Sequence, residues 1–203
     1  MNNQRSERIG CVVMASGQAS RFGGGKLLAS LGGRSVLSRT LECVKDQPGL
    51  EVLAASIFPG IREEAVRCGV PSVIPEGPAL SDTIRAGLSG ERTQHWAGCL
   101  FLPGDQPLIR RETIRNLLLG FLEDPETPIR LSWQGKAASP VIFPCSLFSE
   151  LRSLSGEQGG NVLLKDRLDV RLYEAAFEWE LWDIDTPGDL ERMEQLPFLG
   201  NSD

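Results

Sequence analysis

Two kinds of apolar segment alternate along the first 125 residues of the chain. Short, β-branched runs predict strands at "IGCVVMA" (9–15), "LEVLAASIF" (50–58), "VPSVI" (70–74) and "AGCLFL" (97–102). Segments with apolar positions at helical spacing predict helices over 35–46, 60–69, 80–88 and 110–124, the third opening on the N-cap chemistry of Ser81-Asp82. Strands that alternate with helices form right-handed βαβ units, so the pattern predicts an α/β fold with a mostly parallel sheet.

The pattern changes after residue 125. The segment "PIRLSWQGKAASPVIFP" (128–144) predicts two strands around a turn at Gln134-Gly135, and a helix follows over 145–154. A glycine turn in 156–166 leads into another predicted helix, and 170–176 reads as a strand. The segment 182–196 predicts a strand end, a turn and a final helix. No repeat or low-complexity linker interrupts the 203 residues, so we expect a single domain over 1–203.

The composition narrows the classes of protein. The chain is 41% apolar and 24% charged, which is typical of a soluble globular protein. No apolar run approaches the roughly 20 residues of a membrane span, and the polar start "MNNQRSERIG" does not resemble a signal peptide. We therefore expect a cytoplasmic protein with no membrane partner. A net charge of −6 argues against nucleic acid as its main ligand.

The cysteines and the histidine restrict the possible chemistry. Five cysteines are widely spaced without a C-x-x-C pair, which favours reduced thiols over a metal site. His95 is the single histidine, so a zinc site or a histidine-based triad is hard to build. The chemistry of an enzyme with this sequence would rest on carboxylates, lysine, arginine, backbone amides and a bound metal.

Positive charge and glycine are concentrated behind the first predicted strand. Between residues 9 and 41 there is no Asp or Glu, whereas Arg21 and Lys26 lie there among five glycines of "GCVVMASGQASRFGGGKLL" (10–28). Amide donors with little side-chain bulk suit a phosphate group. A Walker loop does not fit because Leu27 follows the lysine, and the dinucleotide fingerprint also fails. The segment predicts a phosphate-binding loop of another type.

Three aspartates follow or end predicted strands. Asp105 lies in "LFLPGDQP", and Asp183 and Asp185 lie in "WDIDTP". Ligands of parallel sheets bind beyond the carboxyl ends of the strands, and Mg²⁺ favours one or two carboxylates together with phosphate oxygens. In a strand, Asp183 and Asp185 would point the same way, so either could face a cleft beside Asp105. The residues alone leave a second interpretation equally open, in which these aspartates only form turns and cap a helix.

Six segments in this order resemble the nucleotidyltransferases of molybdenum cofactor synthesis. They are "ASGQASRFGGGK", "SDTIRAGL", "LPGDQP", "PVIFPCSLFSEL", "GEQGG" and "DIDTP". The resemblance is strongest to the molybdopterin cytidylyltransferases and the accessory proteins of molybdenum hydroxylases. It implies a single-domain, Rossmann-like, three-layer nucleotidyltransferase fold. It also implies Mg²⁺-dependent transfer of CMP from CTP to the terminal phosphate of molybdopterin, with release of pyrophosphate and a molybdenum hydroxylase as recipient of the product.

The resemblance also implies roles for individual residues. On the nucleotide side, in the N-terminal half, these are Ala15, Ser16, Gly17, Arg21, Lys26, Ser81 and Thr83. The first three would meet the base and ribose, Arg21 and Lys26 would hold the triphosphate, and the last two would line the nucleotide pocket. Asp105 is implied as a metal ligand and, with Arg21 and Lys26, as a catalytic residue; Asp185 is the second metal ligand. On the acceptor side, in the C-terminal half, the residues are Glu157, Gln158, Gly159 and Gly160.

Several departures from the family pattern bear on the choice of nucleotide. Ser16 replaces the commoner alanine, Ala19 stands where many relatives have serine, and the loop at 75–80 is short. GTP or ATP as donor, or a sugar or polyol phosphate as acceptor, are therefore alternatives. A non-catalytic accessory protein that binds the cofactor is a further alternative, but intact Arg21, Lys26 and Asp105 favour an enzyme.

Overall fold

A computed structural model of the chain describes residues 8–17 and 22–199. Its strands are β1 (Arg8–Met14), β2 (Ser30–Leu31), β3 (Arg34–Ser35), β4 (Leu50–Ala55), β5 (Ser72–Val73), β6 (Trp96–Pro103), β7 (Ile129–Trp133), β8 (Lys136–Pro144) and β9 (Arg171–Glu174). Its α-helices are α1 (Val36–Val44), α2 (Pro59–Arg67), α3 (Leu80–Gly87), α4 (Arg111–Glu123), α5 (Phe148–Ser153) and α6 (Pro187–Glu194). The type of each element agrees with the sequence pattern over most of the chain.

Seven strands form one sheet in the order β5-β4-β1-β6-β8-β7-β9, while β2 and β3 form a small separate ribbon. Strand β1 pairs in parallel with β4 on one side and with β6 on the other, and β5 pairs in parallel with β4. Strands β7 and β9 also pair in parallel. Strand β8 runs antiparallel to both β6 and β7, as the predicted turn at Gln134-Gly135 requires. The predicted α/β fold with a mostly parallel sheet is confirmed.

Alternate side chains of the sheet pack into two cores. Cys11 and Val13 of β1 face a core that includes α1 and α4, whereas Val12 faces a second core with α3 and α5. The predicted three-layer arrangement is therefore confirmed. Helix α3 lies directly on β1, because a Cβ added at Gly87 would be 2.5 Å from Val12 Cγ2. This close contact fixes α3 beside the carboxyl end of β1, where the candidate site lies.

Some local predictions are wrong. The segment 156–166 contains a short 3-10 turn at Gly160–Leu163 in place of an α-helix, because its amides bond three residues back, as in Leu164 N to Asn161 O (3.1 Å). Helix α3 has Ala79 at its N-cap, and Asp82 accepts a hydrogen bond from the Ala79 amide (3.2 Å), so Ser81-Asp82 is not the cap.

The predicted strand end before the final helix is also absent from the described residues, since the segment from Trp182 to Asp185 is irregular. The amide of Ile184 instead donates to the carbonyl of Asp105 (3.1 Å), which ties this segment to the turn after β6. Among the described elements, no helix is long and apolar enough to cross a membrane.

Candidate active site

A cleft of about 330 Å³ opens beyond the carboxyl ends of β1 and β6, the position at which parallel sheets bind ligands. Strand β8, helix α3 and the glycine turn after α5 complete its walls. The predicted site residues that line it are Ser16, Gly17, Lys26, Thr83, Asp105, Glu157, Gly159 and Gly160. Residues predicted for the nucleotide and for the acceptor therefore share one cleft, although they are up to 144 positions apart in the sequence.

Other predicted residues lie outside the wall of the cleft. Ala15 is buried and continues the sheet pattern, since its amide donates to Ala55 O (2.9 Å). Ser81 is also buried, and its Oγ has no hydrogen-bond partner among the described residues. Gln158 folds back locally, because its Oε1 accepts from the Ser155 amide (3.2 Å). Arg21 lies outside the described residues.

Three glycines deliver Lys26 to the mouth of the cleft. Gly23, Gly24 and Gly25 have φ values of 81°, 94° and 69°, a region of backbone conformation that side chains disfavour. The chain then enters a 3-10 turn at Lys26–Leu28. The glycine run in the sequence thus permits a tight reversal that turns a cation back toward the end of β6.

The ammonium group of Lys26 bridges two carboxylates. Its Nζ lies 2.6 Å from Asp105 Oδ2 and 3.3 Å from Asp185 Oδ1. Burial disfavours the charged form, but the hydrogen bonds and charges of Asp105 and Asp185 outweigh it and raise the pKa of Lys26 above its ordinary value. Asp105 and Asp185 are therefore juxtaposed with a lysine between them, although an irregular segment rather than a strand precedes Asp185.

Asp183 differs from Asp185 in its contacts. Neither Asp183 oxygen forms an ion pair with Lys26, whereas Asp185 does. Desolvation, with smaller contributions from the charges of Asp105 and Asp185, raises the pKa of Asp183. Since Ile184 between the two aspartates is buried and bonded to the Asp105 carbonyl, the local geometry directs Asp185 to the bridge. That Asp185 is the second metal ligand stays a prediction.

Residues that the sequence analysis missed form the apolar part of the cleft. Phe101 of β6 and Phe143 of β8 make an edge-to-face contact with ring centroids 5.8 Å apart. The other lining residues not predicted are Met14, Leu27, Pro78, Leu80, Ile84, Pro103, Ser139, Val141, Leu151 and Asn161. The alternation of side chains between the two faces of a strand, along "FLPGD" and "SPVIF", could have identified Phe101 and Val141 as residues that face the cleft. That β6 pairs with β8, however, is visible only in the fold.

Comparison with known proteins identifies the family. Residues 11–172 match the family described as MobA-like NTP transferase domain. The chain belongs to this family. It is therefore a nucleotidyltransferase, and both the predicted resemblance and the predicted enzyme class are confirmed.

Two curated relatives and one solved structure illustrate the range of this nucleotidyltransferase family. A probable molybdenum cofactor guanylyltransferase of Thermococcus sibiricus is 24% identical over 193 residues, which are 90% of this chain and 95% of the relative. A 2-C-methyl-D-erythritol 4-phosphate cytidylyltransferase of Dehalococcoides mccartyi is 28% identical over 54% of this chain and 51% of the relative. A Mycobacterium tuberculosis protein crystallised with manganese has a TM-score of 0.72 at 24% identity, covering 93% of this chain and 99% of that one.

The donor set of this nucleotidyltransferase suits a divalent cation. No group of three or more His, Cys, Asp or Glu side chains within 8–17 and 22–199 is placed to hold a metal ion. Mg²⁺, however, keeps several waters and needs only one or two carboxylates plus phosphate oxygens of a substrate. The side chains of Asp105 and Asp185 are 20% and 50% exposed, so their oxygens can reach such a cation. The residues present therefore fit a metal that arrives with the nucleotide.

The glycine turn of the nucleotidyltransferase is packed tightly on the cleft wall. A Cβ added at Gly160 would lie 2.5 Å from Phe143 Cζ, and one added at Gly159 would lie 2.8 Å from Leu80 Cδ2. The Ser81 amide also donates to Gly156 O (3.1 Å), which joins the turn to the first turn of α3. The predicted nucleotide and acceptor segments are thus in direct contact, and a side chain at Gly160 would have to displace the ring of Phe143.

Proposed function

We propose that this nucleotidyltransferase transfers CMP from CTP to the terminal phosphate of molybdopterin and releases pyrophosphate. The observation that carries the proposal is the bridge of Lys26 between Asp105 and Asp185 at the mouth of a cleft lined by both predicted substrate-binding segments. A molybdenum hydroxylase would receive the product. The N-terminal half would bind the nucleotide, and the C-terminal half would bind the acceptor.

The reaction requires positioning and charge neutralisation more than proton transfer. The terminal phosphate oxygen of the acceptor attacks the α-phosphorus of the nucleotide, and the bond to the bridging oxygen of pyrophosphate breaks in line. Lys26 and Arg21 would neutralise the charge that develops on the leaving pyrophosphate. His95, the single histidine, lies at the end of a 3-10 turn before β6, at the opposite end of that strand from Asp105. It is therefore placed too far along the strand to act as a base.

Asp105 and Asp185 would hold a divalent cation, Mg²⁺ in our proposal. When bound, such an ion supplies positive charge to the phosphate oxygens around the α-phosphorus. Manganese bound to the mycobacterial structural neighbour supports a divalent metal in this fold. The ion pairs of Lys26 orient both carboxylates toward one point, and Lys26 would turn from them toward the phosphates when the nucleotide enters.

GTP is the second candidate donor. The relative from Thermococcus sibiricus, named as a probable guanylyltransferase, covers almost the whole chain and favours it. The partial match to a cytidylyltransferase and the segment resemblance favour CTP. Ser16 is the residue to examine first, because its Oγ donates to Ala55 O (3.4 Å) and can therefore meet a base only as an acceptor.

The test is a competition assay. The protein is incubated with equal CTP, GTP and ATP and Mg²⁺, in one reaction with purified molybdopterin and in a parallel one with 2-C-methyl-erythritol 4-phosphate, and the products are separated by mass. We expect the cytidylyl product in excess, with one pyrophosphate per product. Excess guanylyl product would overturn the choice of CTP, and exclusive reaction with 2-C-methyl-erythritol 4-phosphate would overturn the acceptor. Absence of product from each of these pairs would refute the proposed function.

A further inference from the structure

Arg130 of β7 lies on the same face of the sheet as the cleft. It pairs with Val141 of β8, and Val141 pairs with Phe101 of β6. Residues paired directly across antiparallel strands have their side chains on the same face. Val141 and Phe101 both line the cleft, so Arg130 continues their row two strands away from β6.

The side chain of Arg130 extends toward the edge of the sheet at which the cleft opens. Its Nε donates to the carbonyl of Ala138 (2.9 Å). In strand β8, Ala138 lies three residues beyond Val141 in the direction of the carboxyl end of β6. The next residue, Ser139, is itself part of the cleft wall. Arg130 is not itself a lining residue, but its side chain extends from the face of the sheet that lines the cleft toward the residue that precedes Ser139.

Among residues 8–17 and 22–199, Arg130 has no ion-pair partner. Five other arginines form ion pairs with carboxylates: Arg34, Arg67, Arg85, Arg110 and Arg167. No carboxylate of the described residues lies within 4.0 Å of Arg130, whose hydrogen bond to Ala138 O uses Nε and leaves both terminal nitrogens available. The side chain is half-buried, and desolvation lowers its pKa. The guanidinium is thus partly desolvated with one backbone partner, so a ligand that offers oxygen atoms to its terminal nitrogens would bind there favourably.

We propose that Arg130 binds oxygen atoms of the acceptor at the end remote from its reacting phosphate. This inference rests on the proposed function, because it places the reacting phosphate beside Asp105 and Lys26. Two strand spacings separate β7 from β6, so the two ends of the acceptor would lie about 10 Å apart. A planar guanidinium binds paired oxygens or a carbonyl with two parallel hydrogen bonds. Arg130 would thereby select acceptors that carry such a group, as the carbonyl-bearing ring of a pterin does, over shorter phosphate monoesters.

The experiment compares R130Q and R130K with the native protein, and R167Q serves as control. Arg167 pairs with Asp169 in an exposed turn, so its replacement removes one arginine without touching the cleft. Binding of molybdopterin alone is measured by titration calorimetry, and KM values for acceptor and nucleotide are measured where turnover occurs. We expect R130Q to weaken molybdopterin binding about tenfold or more, as loss of a charged hydrogen bond does. R130K should recover part of this loss. The nucleotide KM and the unfolding midpoint of both Arg130 variants should stay native-like, and R167Q should bind molybdopterin as the native protein does.

Three results would overturn the inference. The first is equal affinity of R130Q and native protein for molybdopterin, and the second is failure of the native protein to bind molybdopterin. The third is a parallel loss of nucleotide binding and thermal stability in R130Q, which would indicate a structural role. If R130Q does not fold, native-like molybdopterin binding by R130K would also overturn it, because lysine keeps the charge but lacks the fork. Binding without transfer would instead refute the proposed function, while the comparison of affinities would still decide the role of Arg130.

Discussion

Replacement of Lys26 by methionine removes the charge between Asp105 and Asp185 and keeps the length of the side chain. Both carboxylate oxygens contact the same nitrogen, at 2.6 and 3.3 Å, so the substitution leaves two like charges close together. At a separation of about 5 Å and an effective dielectric constant of about 20, their repulsion is about 3 kcal/mol, and about 1 kcal/mol if water screens them fully. Since Asp185 is half-exposed, we expect the variant to lose about 1–2 kcal/mol of unfolding free energy at pH 7.

The assay is urea unfolding at several pH values and ionic strengths, with and without Mg²⁺ or Mn²⁺. In the variant added salt screens the repulsion between the two carboxylates, so the difference in stability from native protein should shrink as the ionic strength rises. Divalent cation should also restore stability to the variant, because it would replace the lost positive charge. A matched K136M variant, altered at an exposed lysine of β8, should respond to neither.

The native protein should lose stability at alkaline pH, where Lys26 loses its charge. Its folded-state pKa for Lys26 lies above the ordinary 10.5, so the ion pairs contribute stability below that pH and lose it as the pH rises through the folded value. K26M should lack this alkaline loss. A K26M variant that is as stable as native protein at pH 7, shows the same alkaline loss and does not respond to divalent cation would refute the bridge as an electrostatic element.

Three further predictions concern the carboxylates and the glycine turn. D105N and D185N should each reduce transfer by about 10²-fold or more, because each removes a charge from the proposed metal site while keeping the side-chain shape. D183N should reduce transfer less than either, since Asp183 does not contact Lys26. G160A should destabilise the fold by about 1–3 kcal/mol and raise the acceptor KM more than the nucleotide KM, because its methyl group overlaps the ring of Phe143.

These predictions are measured by steady-state pyrophosphate release and by urea unfolding. An essential Asp183 beside a dispensable Asp185 would show that the other member of the pair holds the metal. Undiminished transfer in EDTA would exclude a metal at the pair. For the glycine turn, G188A is the control, because Gly188 in α6 lies outside the cleft lining, has no left-handed φ, and its added Cβ would meet only Thr186 Oγ1 at 3.7 Å. Equal KM values in G160A and native protein would contradict the close contact with the cleft wall.

The sequence was sufficient for the fold because its periodicities are strong and local. The strand at 97–102 is a continuous apolar run, and the helix at 110–124 has apolar residues at helical spacing. Because such strands and helices alternate along the chain, few sheet topologies are possible. Predictions failed where tertiary contacts decide the conformation. The helix expected in 156–166 gives way to a 3-10 turn, in which Gly160 packs on Phe143, and Trp182–Asp185 leaves the strand pattern to bond with the Asp105 turn.

The candidate site was predictable in its polar residues and not in its apolar ones. Lys26 and Asp105 follow strands in glycine- or proline-rich turns, and turns at the carboxyl ends of parallel strands meet at one edge. That Lys26 also contacts Asp185, which lies 80 positions after Asp105, is visible only in the folded structure. Arg130 gave no signal at all in the sequence, because its role follows from an antiparallel register and from the absence of a carboxylate partner among the described residues.

The central claim is that nucleotidyl transfer occurs at the Lys26–Asp105–Asp185 bridge. The most direct measurement follows transfer of label from α-³²P-labelled CTP or GTP to molybdopterin in the presence of Mg²⁺, with native protein and D105N side by side. We predict a labelled molybdopterin dinucleotide with native protein and at least a 10²-fold slower reaction with D105N, which binds molybdopterin as the native protein does. A labelled product formed equally fast by D105N, or no labelled product from either nucleotide with native protein, would contradict the account.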